Sequence, residues 1–325
     1  MNPVGTVRPQ PDPVVTDHDW PAVTVVVPVH GDRGELAKTA KALAALDYPG
    51  AVDVVVVDNG DNVGLEQSLA VLERVQVVRE STPGSYAARN AALAVASGEV
   101  LAFTDGDCLP RPDWLSEGVR QLLACDGPAF VGGAIELFPA VAGRASFAEL
   151  WDCVNGLRQD HYVEDQGWAA TANMMTLRST FDRVGPFSAF LRSGGDREWG
   201  ERATRTGVQA VFGATAVVDH PARPTMAELH KKVRRVTRGD VDKRRAAGTA
   251  LYDRGELKGS LRPNVRSTVR TSARVSPGWT FDRVRYVAVG HWMQYYFVGA
   301  KFAHVLRTRR PGRAPHATVA TPRAD

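Results

Sequence analysis

Val100-Leu101-Ala102-Phe103-Thr104-Asp105-Gly106-Asp107-Cys108 is an apolar run that stops at two carboxylates one residue apart. A turn at Ser97-Gly98 precedes it and Pro110 follows, so the run predicts a buried strand from Val100 to Thr104. Asp105 and Asp107 then fall where the strand leaves the sheet, the edge at which open α/β sheets bind ligands. Gly106 between them is read as a bend that admits a close ligand. Two neighbouring carboxylates repel unless a cation lies between them or one is protonated. Hard divalent cations take oxygen ligands and are commonly shared with substrate phosphates. The stretch therefore reads either as a site for a metal-bound diphosphate or as an ordinary polar turn.

Working outward, Val23-Thr24-Val25-Val26-Val27-Pro28 predicts a buried strand ended by proline, and His30-Gly31-Asp32-Arg33-Gly34 a loop. Glu35 to Leu46 carries apolar residues at helical spacing. Val52–Val57 predicts a second strand, Leu65–Leu72 a short helix and Val75–Val78 a third strand. Ser85–Ala96 predicts an alanine-rich helix. Continuously apolar strands alternating with helices imply a parallel sheet covered on both faces. Further on, helices are expected at Asp113–Ala124, Arg144–Arg158, Ser179–Val184 and Arg197–Arg205. Strands are expected at Phe130–Leu137, within Trp168–Leu177, and at Val208–Val218. A basic helix spans Glu228–Arg245, a polar stretch of weak pattern Arg254–Pro277, and an aromatic-rich helix Asp282–Arg307.

The chain has 325 residues, 44% of them apolar, enough for a normal core, and a formal net charge of +4. Cys108, Cys125 and Cys153 lack close pair spacing, which suggests neither a zinc site nor a disulfide framework and fits a reducing compartment. Met1 to Trp20 carries four prolines and no secretory-signal pattern. No uninterrupted apolar run reaches membrane-spanning length. The cations Lys231, Lys232, Arg234, Arg235 and Arg238 have no interleaved aromatics, against a nucleic-acid surface.

Five short motifs in register carry a family likeness. They are Val25-Val-Val-Pro28-Val-His30, Val54-Val-Val-Val-Asp58-Asn59-Gly60, Pro83-Gly84-Ser-Tyr86-Ala-Ala-Arg89-Asn90, Asp105-Gly106-Asp107 and Gly194-Gly195-Asp196-Arg-Glu198. In this order the chain resembles an inverting glycosyltransferase of family 2 over roughly Val23 to Arg245. The resemblance implies a GT-A nucleotide-diphospho-sugar transferase fold: a Rossmann-like, mainly parallel sheet flanked by helices, here with a C-terminal helical extension. After a lead-in at 1–20 that its prolines and lack of apolar period mark as flexible, it implies a catalytic domain at 21–225, divided into a nucleotide-binding half (21–110) and an acceptor half (111–225). A basic lid and linker (226–280), an amphipathic helix (281–307) and a disordered tail (308–325) follow. The family often has Glu where Gly195 stands, and a commoner Tyr-Asn where His30-Gly31 stands.

The resemblance also assigns roles. Asp107 ligates Mn²⁺ or Mg²⁺, with Asp105 reaching the metal or the ribose and His220 completing the shell or touching phosphate. Pro28, His30, Asp58, Gly84, Arg89, Asn90 and Asp105 form the nucleotide site. Arg235 and Arg238, three apart on one helix face, close over the diphosphate as part of a mobile lid; a solvated face is the plain alternative. Asp196, just before a helix, is the general base, and Glu198 and Trp199 meet the acceptor, although a core tryptophan serves as well.

The implied donor is a UDP-, GDP- or dTDP-sugar. The acceptor is a glycan or a lipid-linked molecule, in polysaccharide, glycolipid or cell-envelope glycan synthesis. Tyr286, Val289, Met293, Tyr296, Phe297 and Ala300 share a helix face flanked by arginines. That face suits an anionic membrane surface or packing on the domain or on a second subunit. A cytoplasmic protein, peripheral at the inner face of the membrane, is the expectation. The rival functions are a sugar-phosphate nucleotidyltransferase and a non-catalytic nucleotide-sugar-binding scaffold.

Overall fold

The computed structural model describes residues 20–31, 33–60, 64–246, 248–249, 261–275 and 280–308. The lead-in, the tail beyond 308 and the start of the weakly patterned stretch lie outside them. The chain divides into two compact units, the first comprising residues up to Arg144 and Asn155–Ala222. The second comprises Ala145–Val154 and the chain from Arg223 on.

The first unit is built on β1 (Val23–Val29), β2 (Val52–Asp58), β3 (Val75–Arg79), β4 (Val100–Thr104), β5 (Leu109–Pro110), β6 (Ala129–Phe138), β7 (Asn173–Leu177) and β8 (Gln209–Pro221). They form one sheet in the order β3-β2-β1-β4-β7-β6-β8-β5. The apolar runs near the N-terminus pair parallel, β3 with β2, β2 with β1 and β1 with β4. β7 then enters antiparallel to both β4 and β6, while β6 and β8 run parallel. The sheet is thus mixed, and mainly parallel in its first half.

Continuously apolar strands need cover on both faces, and both are covered. Val23, Val25 and Val27 point into one core with Leu36 and Ala40 of α1 (Arg33–Ala44) and Leu115 and Val119 of α4 (Trp114–Leu123). Val26, Val55, Leu101 and Phe103 point into the other, with Ala88 and Ala92 of α3 (Ser85–Leu93) and Trp199 of α8 (Gly195–Arg205). The short α2 (Leu65–Leu69) completes the parallel half.

Several expectations change in detail. Pro28 does not end β1, because it lies in a strand that continues to Val29. The single helix expected at Arg144–Arg158 is two, α5 (Phe147–Asn155) and α6 (Gln159–Glu164). Leu157 breaks it at φ 45°, a left-handed backbone that no helix continues through. Trp168–Leu177 yields one strand, followed by α7 (Arg178–Val184).

In the second unit α9 (Met226–Ala246), α10 (Val265–Thr271) and α11 (Phe281–Thr308) join α5. Its core gathers Ala148, Leu229, Val233, Val289 and Met293. Asp152, fully buried, accepts ion pairs from Arg223 and Lys232, each at 2.8 Å. Burial alone would raise this carboxyl; the two cations outweigh it and hold it below the ordinary range. Of the helix face that suits either a membrane surface or packing, Tyr286, Val289 and Met293 are 2%, 4% and 0% exposed and pack in this core, while Tyr296, Phe297 and Ala300 are half-buried. Two of its flanking cations are also committed, Arg283 to Ser272 Oγ and Arg285 to the Ala145 carbonyl. Arg309 and Arg310 lie outside the described residues. No described helix is long and apolar enough to cross a membrane.

Candidate active site

The site forms where β1, β2, β4 and β8 end. Asp107 lies just beyond β4. Two residues later, Leu109 pairs with Asp219 of β8, a register that carries His220 to the level of Cys108, next to Asp107. Arg111 fixes this corner with a two-pronged bond to Asp219, at 3.0 and 2.8 Å. His220 Nε2 lies 3.9 Å from Asp107 Oδ1. Its Nδ1 lies 2.8 Å from the Pro221 carbonyl, which can only accept, so Nδ1 donates there and Nε2 is the nitrogen that faces Asp107. Cys108 Sγ joins the cluster, its ligand atom within 4.8 Å of the other two. Burial first, then Asp105 and Asp107, push the Cys108 thiol well up, so it stays protonated. An imidazole nitrogen beside a half-buried carboxylate could hold a metal ion, and Asp107 and His220 are the residues that would do so.

Gly106 also packs against β1. A Cβ there would lie 3.3 Å from Val29 Cγ2 and 3.4 Å from the Pro28 carbonyl, so glycine lets the loop close on β1. Thr39 Oγ1 donates to its carbonyl at 3.0 Å, tying the same loop to α1.

One helix reaches both sides of the site. From α3, Arg89 donates through Nη2 to Asp105 Oδ1. One turn earlier, Tyr86 Oη donates to Asp196 Oδ1 at 2.9 Å. Burial first, then the Asp196 carboxylate, raise the Tyr86 phenol, which keeps it a neutral donor. Asp196 Oδ1 also accepts the Arg197 N–H at 2.9 Å. Among the described residues no donor faces Asp196 Oδ2. Asp196 lies inside α8, in its first turn, and not one residue before the helix as expected. The Tyr86 ring covers Gly195, where an added Cβ would come within 2.7 Å of Cδ2. That contact explains the missing glutamate: the ring occupies its place.

The loops behind the site hold each other. His30 Nδ1 lies 2.9 Å from the Asn59 carbonyl, and its ring fills the space a Cβ on Gly60 would need. Asn59 donates to the carbonyls of Glu80 and Thr82 and accepts the Gly84 N–H, at 2.8, 2.7 and 2.8 Å. Gly84, at φ 134°, begins α3 in a backbone that glycine alone adopts readily. Asp58 is buried at the end of β2, accepts the Gly60 N–H at 3.0 Å and lies 3.8 Å from Arg79.

Three assignments change. Asn90 gives both amide atoms to the Phe187 backbone, at 2.8 and 3.0 Å, so it holds a loop and offers nothing to a nucleotide. Trp199 is fully buried, stacked 5.1 Å from Phe181, and cannot meet an acceptor. Glu198 is engaged by Arg202 and by Ser188 Oγ, each at 2.9 Å, which turns its carboxylate away from Asp196 along α8. Arg235 and Arg238 lie exposed on α9, in the second unit.

A family model described as "Glycosyl transferase family 2" matches residues 24–194, more than half of the chain. The chain belongs to glycosyltransferase family 2. A relative within it, glycosyltransferase AglE of Haloferax volcanii, is 35% identical over 68% of this chain and 73% of its own length. The pre-mycofactocin glycosyltransferase of Mycobacterium tuberculosis is 26% identical over 63% of this chain, which spans 44% of that longer protein. Among solved structures, mannosyltransferase PcManGT of Pyrobaculum calidifontis, in complex with GDP-Man and Mn²⁺, superposes with a TM-score of 0.61. That likeness, at 20% identity, covers 93% of this chain and 92% of the neighbour, and identifies the fold as GT-A. In this family 2 transferase, sequence reasoning missed Tyr86, Asn59 and Cys108. Cys108 was open to discovery as the neighbour of Asp107; Tyr86 and Asn59 act through contacts that no spacing rule marks.

Proposed function

We propose that the protein transfers a sugar from a nucleotide-diphosphate sugar to an acceptor hydroxyl with inversion at the anomeric carbon. The observation that carries this is α3, which engages Asp105 through Arg89 and Asp196 through Tyr86. The donor-side and acceptor-side carboxylates are thereby held by one rigid element. The neighbour's GDP-Man and Mn²⁺ support a nucleotide-sugar donor and a divalent cation.

Asp107 and His220 would hold a divalent cation, which would supply positive charge to the leaving diphosphate. Arg89 holds and aims Asp105 through its hydrogen bond, and the buried Asp58 carboxylate suits hydrogen bonds from the nucleoside. Asp196 takes the acceptor proton on Oδ2 while Tyr86 and the Arg197 N–H hold Oδ1. The hydroxyl oxygen attacks the anomeric carbon as its bond to the diphosphate breaks. One displacement with one base gives an inverted product. Positioned bases typically contribute about 10²–10⁴-fold.

Asp196→Asn keeps the shape and removes the basicity. It should lose at least about a hundredfold in kcat with donor binding nearly unchanged, and the parent product should be inverted by NMR. Parental turnover in the variant, or a retained product, overturns the assignment. Donor binding without turnover on any acceptor would favour a non-catalytic scaffold.

A further inference from the structure

The second unit carries a cleft outside the chemistry above. It runs between α9 and α11 with a volume of about 430 Å³, inside the roughly 300–1,000 Å³ common for small-molecule sites. Its floor is one face of α11: Trp292, Tyr295, Tyr296, Gly299 and Ala303 recur at helical spacing. A Cβ on Gly299 would meet nothing within 4 Å, so the floor there is open down to the backbone.

One wall is rigid. Tyr296 stacks on His230 with ring centroids 3.8 Å apart and planes at 15°. Trp292 Nε1 donates to His230 Nε2 at 3.1 Å, and Arg234 donates to Tyr296 Oη at 2.6 Å. Burial, then Arg234, lower the His230 imidazole, which leaves it neutral to accept the indole proton.

The rim is cationic. Arg234, Arg238 and Arg307 border the cleft, and among the described residues none of the three has a carboxylate partner. The nearby acids are engaged elsewhere: Asp240 with Lys301 at 3.0 Å and Arg244 at 3.3 Å, Asp242 with His304 at 3.4 Å. Guanidinium forks match phosphate oxygens. An aromatic trough beneath arginines that no described carboxylate pairs complements a molecule with one apolar chain and one multiply charged head. Phe281, Val284, Phe302 and Leu306 of α11 are also exposed, so titration with vesicles separates a bilayer surface from the cleft.

We propose that the α9–α11 cleft binds a single-chain amphiphile with a phosphate monoester head, chain over Gly299 and head among the three arginines.

The test is calorimetric titration of the full-length protein with decyl phosphate below its micelle concentration. Inorganic phosphate, decanol and phosphatidylglycerol vesicles are titrated alongside. Decyl phosphate should bind at least tenfold tighter than inorganic phosphate or decanol. Gly299→Leu fills the floor and should abolish that binding without lowering the melting temperature, since Leu favours helix over Gly. Arg238→Ala with Arg307→Ala should weaken it more than tenfold. The proposal is overturned if decyl phosphate does not bind, if Gly299→Leu binds it as the parent does, or if inorganic phosphate binds as tightly. It is equally overturned if only the vesicles bind, which would mark a membrane surface instead of a cleft. Because the readout is binding, failure here leaves the transferase assignment intact.

Discussion

Tyr86→Phe isolates one atom of the site. The ring stays on Gly195 and only the hydroxyl that donates to Asp196 Oδ1 at 2.9 Å is lost. Hydrogen bonds to charged groups contribute about 1.5–3 kcal/mol. Asp196 is only half-buried, so water can replace part of the donor, and the low end, about 1.5 kcal/mol, applies. If Tyr86 aims the base during transfer, that loss is roughly tenfold in kcat. The KM for the nucleotide-sugar should not change, because Tyr86 serves the acceptor side. Steady-state release of nucleoside diphosphate measures both constants. A double-mutant cycle adds a stricter condition: in Asp196→Asn, adding Tyr86→Phe should cost little more. Gly195→Ala reaches the same bond from the other side. Its Cβ would come within 2.7 Å of the Tyr86 ring and push the hydroxyl away, so kcat should fall at least as far. Unchanged kcat in Tyr86→Phe, or a donor KM that rises alone, would refute this positioning role.

Four further outcomes are expected. His220→Ala should weaken Mn²⁺ binding, followed by titration, by more than about tenfold, a loss seen even for residues that merely orient a ligand. Asn173→Ala strips partners from the buried Trp114 indole N–H and from the Ala134 and Ala216 carbonyls, all at 2.8 Å. With buried unpaired groups costing about 1–3 kcal/mol each, denaturant unfolding should show a loss of about 3–5 kcal/mol. Asp152→Asn leaves Arg223 and Lys232 without their buried counter-charge and should destabilise by about 3–5 kcal/mol in the same assay. Burial, opposed by Asp152, lowers the Lys232 amine to about 8. Between that pH and the ordinary lysine value of about 10.4 the unfolded chain binds the extra proton, so this group makes stability rise with pH. The rise should be smaller in Lys232→Met.

The parallel half of the fold was legible because its strands are buried on both faces, and unbroken valine runs have no other use. The carboxylates at their ends were legible for the same reason: an apolar run that stops at Asp58 or Asp105 declares where the sheet ends. The contacts that complete the site were not. Leu109 and Pro110 form a strand of two residues, too short for any period, yet their pairing with β8 brings His220 beside Asp107 and Cys108. Tyr86 meets Asp196 across 110 residues of sequence, and within its own helix it reads as one more apolar position. Trp199 was misread because its place on α8 suits a sugar platform; its burial depends on Phe130, Phe181 and Phe187, which arrive from distant elements. The aromatic face of α11 was legible only as a choice between a membrane surface and packing. Its period marked an apolar face correctly but could not say that α5 and α9 cover it.

The most direct test is a calorimetric titration of UDP-, GDP- and dTDP-sugars into the parent protein and Asp107→Ala, each with Mn²⁺ and with EDTA. At least one nucleotide-sugar should bind the parent in the presence of Mn²⁺, with binding lost in EDTA and in Asp107→Ala while the variant's melting temperature stays near the parent's. Binding of equal strength in parent and variant, or no binding of any nucleotide-sugar to the parent with Mn²⁺, would contradict a metal-assisted donor site at the end of β4.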